Sequence, residues 1–170
     1  MHRLQASPPG VTSWKIGSAV GALGFCLVAL RGVVPDLVSI VLANTLAVLG
    51  TARLQRGFRE ALGAAPRIAL ERWAAAAALI GCAVFTYAAP SVSMRVRLMS
   101  VIFAMLFLYA ASGMFGRRAL AHPNRLAWAL IGVAVAAAGL AHAHRALTFP
   151  DLPPGYDYLA LRSASEVAIL

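Results

Sequence analysis

The chain has 170 residues, 61% of them hydrophobic and 12% charged, with a mean hydropathy of +0.77. A water-soluble domain carries about 25% charged residues, so that class is excluded. The net charge of +9 would point to nucleic acid in a soluble protein, but here the arginines stand at the ends of apolar blocks, where they orient a membrane protein, and no nucleic-acid partner is expected.

Residues 1–13 read as a short cytoplasmic segment. The first apolar block runs from Trp14 to Leu30 and is short against a bilayer core of ~30 Å, which needs about 20 helical residues. Gly17, Gly21 and Gly24 share one face of it, the first two at GxxxG spacing, and are read as helix-packing positions within the bundle rather than as a dimer seam. A cleaved signal peptide is the rival reading. The run ends at "ALRGVVP" without a small-x-small site and further spans follow, so the block is taken as a span.

Arg31, Pro35 and Asp36 then make a tight turn. Pro35 presets the turn and Asp36 is placed to cap the next helix, while Arg31 is positioned to pair with Asp36 or to meet an anionic group. The second block is Leu37 to Ala52. Asn44 lies near its middle, and a buried amide in lipid must find a partner, so it marks an interhelical hydrogen bond or a ligand pocket. Ser39, Thr45 and Thr51 can bond back to their own helix.

The third block, Trp73 to Ala89, is alanine-rich. Arg95 and Arg97 follow in the next loop and could form a basic rim with Arg31, the plainer alternative being that they snorkel to lipid phosphates. The fourth block is Leu98 to Gly116 and the fifth Leu126 to Ala143. His142 and His144 close the fifth. Two residues apart on a helix point about 200° apart, so they cannot share a metal ion unless the helix has ended. "TFPDLPPGYD" cannot be helical throughout, and residues 159–170 read as the start of a further, incomplete helix, which suggests a fragment or a shortened product.

The fold class is therefore all-α: a polytopic transmembrane helical bundle over residues 14–158, five spans plus an incomplete sixth helix. Arg3, Lys15, Arg53, Arg56, Arg59, Arg67, Arg72, Arg117, Arg118 and Arg125 fall on one side of it, against Arg31, Arg95, Arg97 and Arg145 on the other. That asymmetry places the N-terminus in the cytoplasm. Cys26 and Cys82 each sit inside an apolar block with no CxxC partner, so neither a disulfide nor a metal site is expected. No zinc-protease, phosphate-loop, nucleophile-elbow or dinucleotide motif occurs among the six acidic and four histidine residues. Nothing supplies a catalytic cluster, and neither enzyme activity nor a cofactor is expected.

"LRGVVPDLVSIVLANTLAVLGTARLQRGFREALG", Leu30 to Gly63, resembles the membrane region of a group of bacterial diguanylate cyclases (GGDEF proteins). The matching residues are Leu30, Arg31, Gly32, Pro35, Ser39, Ile40, Asn44, Gly50, Gly57 and Gly63. "YAAPSVSMRVRLMS", with Pro90, Arg95 and Ser100, and "AHRALTFPDLPPGYDYLALRSASE" are similar to later outer loops of that family. The resemblance implies a sensory input module in the bacterial inner membrane, dimeric, ahead of a cytoplasmic domain that makes cyclic di-GMP with magnesium. This chain contains no GGDEF or GGEEF signature, so the output domain is missing from it. The expected partners are the lipid bilayer, a second copy, and a small external or membrane-borne ligand sensed at Arg31, Asn44, Arg95 and Arg97. The alternative is a standalone small membrane protein, transporter-like or lipid-interacting, though Asn44 alone resembles the midplane polar groups of transporters.

Overall fold

A computed structural model describes residues 8–153, so the expected sixth helix, with Asp157 and Glu166, lies outside the described residues. Five long helices make up the bundle: α1 (Val11–Ala29), α2 (Leu37–Ala61), α3 (Ile68–Ala88), α4 (Val92–Met114) and α6 (Arg125–Thr148). A short α5 (Arg117–Leu120) lies between the last two. Each long helix has 19 to 25 residues and is apolar enough to cross a membrane. At 1.5 Å per residue they span about 28 to 38 Å, which matches a bilayer core. The chain is thus an all-α, multi-pass bundle, with no strand among the described residues.

The helices outrun the apolar blocks that announce them. α2 continues past Ala52 to Ala61 and so carries Arg53, Arg56 and Arg59, while α4 begins at Val92 and carries Arg95 and Arg97. These arginines are helical residues, not loop residues as their charge suggested. Ending a helix where hydropathy falls would strand backbone groups at the membrane edge. Extending it satisfies them, and arginine is long enough to reach polar surroundings from a helix end. Ser91 starts α4 in extended geometry and its hydroxyl accepts a hydrogen bond from the Met94 N–H at 3.2 Å. At the other junction, Gly63 takes φ +64 beyond the end of α2, which turns the chain so that the Ala64 N–H reaches the Arg59 carbonyl at 2.7 Å.

α1 packs on α2 through small residues. A Cβ added at Gly17 would lie 2.8 Å from the Gly50 carbonyl oxygen, and one at Gly24 2.8 Å from that of Ala43. Gly21 is looser, its added Cβ coming no closer than 3.8 Å to Gly50 Cα. From the other side, a Cβ on Gly50 would sit 2.5 Å from the Gly21 nitrogen. The glycine face of α1 is therefore occupied within the chain, as bundle packing requires. α4 and α6 pack in a similar way, with Leu108 seated against Gly139.

α2 stands at the centre, packed on α1, α3 and α4. Val41, Val48 and Ala52 of α2 meet Ala78 and Cys82 of α3 and Met99, Ile102 and Leu106 of α4 in the main buried cluster. The outer faces stay apolar, with Leu126, Leu130, Val133, Leu140 and Leu147 of α6 all exposed. Those faces suit lipid, because all the helical backbone groups are satisfied within the segment.

The end of the bundle formed by the α2–α3 and α4–α6 connections is pinned by polar groups. Glu71 on α3 receives a two-pronged bond from Arg56 on α2, at 2.6 and 2.7 Å, with Arg53 3.6 Å away. Ser13 donates to Glu60 at 2.7 Å, and the Trp14 indole N–H donates to the Leu54 carbonyl at 3.2 Å. Trp14, Phe58 and Trp128 then run edge to face from α1 through α2 to α6. Arg118 donates to the Gly63 carbonyl at 2.6 Å and ties α5 to the α2–α3 turn.

Candidate functional site

The opposite end holds the α1–α2 turn, the end of α3, the start of α4 and the end of α6. Two local irregularities of helix geometry lie here. The first turns of α2 (Leu37–Leu42) and the last turn of α3 (Val84–Ala88) are π-helical, a form often found at functional sites. Pro35 begins α2: its carbonyl accepts the N–H groups of Val38 and Ser39 and the Ser39 hydroxyl. Asp36 is therefore already in helical geometry, φ −58 and ψ −30, and makes no side-chain cap. A capping carboxylate needs an extended backbone, so the expected Asp36 cap is not formed.

Between the helices at this end lies a cavity of ≈ 260 Å³. Arg31, from the turn after α1, Arg95, one turn into α4, and Arg145, in the last turn of α6, line it. Ser39, Asn44, Ser100 and His142 add polar groups, and Ile40, Val96, Met99 and Phe103 supply an apolar wall. Among the described residues no aspartate or glutamate lines it. Among the described residues no carboxylate comes within ion-pair distance of Arg31, Arg95 or Arg145.

The side chains around the cavity are held by their own helices. Asn44 donates its amide to the Ile40 carbonyl at 2.7 Å, one turn back, so its N–H group serves its own helix rather than bridging to another. Arg95 donates to the Thr86 hydroxyl at 3.0 Å, which in turn donates to the Cys82 carbonyl, so the π-helical end of α3 steers this guanidinium. His142 packs on Phe103 and Phe107, with ring centroids 5.2 and 5.7 Å apart.

Three of the four residues expected to sense a ligand, Arg31, Asn44 and Arg95, meet at this cavity. Arg97 does not. It pairs with Asp151 at 2.9 Å and donates to the Phe149 carbonyl at 2.8 Å, fastening the segment after α6 onto α4. Ser93 accepts the Leu152 N–H at 2.8 Å in the same seam. Arg95 and Arg97 point apart because two residues on a helix differ by about 200°. Arg31 does not pair with Asp36 either. His142 and Arg145 were not singled out as a site by the sequence, although three residues on a helix share a face. His142 had been weighed with His144, which is exposed, and among the described residues no His, Cys, Asp or Glu group could hold a metal ion.

Such a cavity has room and polar groups to bind a small ligand. Guanidinium groups without carboxylate partners, in surroundings of low dielectric, attract an anion. No family model, no curated protein and no solved structure matches the chain.

Proposed function

We propose that the chain is a membrane-embedded sensory input module whose signal is a small anion bound between α1, α2, α4 and α6. One observation carries this reading: Arg31, Arg95 and Arg145 line a single cavity that has no aspartate or glutamate among its described lining residues. Arg95 lies within a spanning helix, where ionisable residues are costly and usually functional, and an anionic partner accounts for it together with Arg31 and Arg145 at the same cavity.

The imbalance of arginines between the two ends supports an orientation with this cavity on the side away from the cytoplasm and the N-terminus inside. The resemblance of Leu30–Gly63 to diguanylate cyclase membrane regions supplies the output: a cytoplasmic domain beyond the chain, read through helix displacement. The fastening of residues 149–152 onto α4 supports that route. Any shift of α6 against α4 on ligand binding is passed on to the segment that follows α6. A ligand drives such a shift only through different affinity for the two arrangements.

The test uses a native thiol. Cys26 is exposed on α1, two residues before the cavity-lining Val28, and Cys82 is buried. An environment-sensitive fluorophore attached to Cys26 is expected to change its emission saturably as hexanoate is added to the protein in zwitterionic nanodiscs, and to stay unchanged in an Arg95→Gln variant. Saturable binding without any change in emission would leave a binding protein and remove the sensory reading.

A further inference from the structure

The proposed function requires only an anion, and the shape of the cavity goes further. Its three arginines come from the same end of the bundle: Arg31 in the turn after α1, Arg95 three residues after the start of α4, and Arg145 in the last turn of α6. Below them the character changes. Phe103 lies two turns further along α4 than Arg95, about 12 Å deeper at 1.5 Å per residue. Ile40, Met99 and Phe103 line that depth with Asn44, Ser100 and His142.

A cavity of ≈ 260 Å³ has room for many waters or for a small organic molecule. A bare inorganic anion at the arginines would leave most of it to be filled by water. Between the polar groups of Asn44, Ser100 and His142, the aliphatic and phenyl surfaces of Ile40, Met99 and Phe103 give water no hydrogen bonds. His142 presents a ring already stacked on Phe107, at 11° between planes, and extends that apolar wall.

On the strength of the anion-receptor reading, we infer that the ligand is an amphipathic anion: a carboxylate or phosphate head held by Arg31, Arg95 and Arg145, with a short acyl chain or single ring reaching down to Phe103. α1 packs on α2 and α6 on α4, and residues of all four helices or their turns line the cavity. The same chemistry is supplied by a free short-chain fatty acid or by the head and upper chain of an anionic lipid.

The experiment is a chain-length series on the full chain in phosphatidylcholine nanodiscs, with acetate, butyrate, hexanoate and decanoate as probes and the thermal midpoint as readout. Affinity is expected to rise roughly fourfold per methylene that enters the cavity, from ~0.8 kcal/mol per buried CH₂, and to level off once the cavity is full. Arg95→Gln is expected to flatten the series. Equal affinity for acetate and hexanoate would overturn the amphipathic ligand while leaving the anion receptor standing. No binding by any of the four would remove both. A rise that is the same in Arg95→Gln would show partition into the bilayer and overturn the inference. Discs containing phosphatidylglycerol separate the sources: a lipid ligand raises the midpoint without added fatty acid and blunts its effect, while a free acid acts equally in both discs.

Discussion

Glu71→Ala is expected to destabilise the bundle by about 3 to 5 kcal/mol, the usual effect of removing one partner from a buried ion pair. Glu71 is 8% exposed, and its carboxylate takes both prongs of the Arg56 guanidinium. Without it, Arg53 and Arg56, side by side on α2, lose the α3 carboxylate that both approach. The pair itself is a different matter. Replacing both partners, as in Arg56→Met with Glu71→Met, is expected to lose far less than Glu71→Ala alone, because two desolvated charges and their mutual attraction nearly cancel. Unfolding of the purified protein in mixed micelles measures all three chains. A Glu71→Ala loss below about 1 kcal/mol would show that water screens this pair as it does surface pairs.

The second large effect separates two glycines that face each other. Gly50→Ala would set a methyl 2.5 Å from the Gly21 nitrogen and 2.8 Å from the Gly17 carbonyl oxygen, both backbone atoms of a rigid helix. α1 must then move away from α2, at about 1 to 3 kcal/mol for overpacking of this kind. Gly21→Ala has open space, with Gly50 Cα at 3.8 Å, and alanine favours helix over glycine by about 1 kcal/mol. Gly21→Ala is therefore expected to be neutral or slightly stabilising although it removes half of the GxxxG motif. The same unfolding measurement decides it, and equal losses at both positions would contradict the packing described for α1 and α2.

The five helices were legible because lipid leaves a long apolar run as its mark, and that mark survives without any knowledge of contacts. Their ends were not. Arg53, Arg56, Arg95 and Arg97 lower local hydropathy and so appear to close a span, whereas each lies within a helix whose backbone bonds continue past it. This error carried over to the site. Read as loop residues, Arg95 and Arg97 seemed to form one rim. As helical residues they face different ways, Arg95 into the cavity and Arg97 onto Asp151.

Asn44 and Arg31 stood out because each is a polar group where lipid or a turn makes polarity costly. Arg145 and His142 carried the same signal in their three-residue spacing, but the more conspicuous His142–His144 pair masked it. The Arg56–Glu71 pair joins residues 15 apart across a turn. Its partners are chosen by how α2 and α3 pack, which no local pattern encodes. Asp36 shows the reverse: a good capping residue at the right place, left unused because Pro35 had already begun the helix.

The central claim is that Arg31, Arg95 and Arg145 make a receptor for an anion. Calorimetric titration of the full chain in zwitterionic nanodiscs with hexanoate, and separately with hexylammonium, tests it most directly. The two probes share an apolar chain and differ in the sign of the head. Saturable binding of hexanoate at about one per chain, at least tenfold tighter than hexylammonium and weakened about tenfold or more by Arg95→Gln, is the expected result, since a charge-assisted hydrogen bond contributes about 1.5 to 3 kcal/mol. Equal binding of the two probes, or no saturable binding of hexanoate, would contradict the claim.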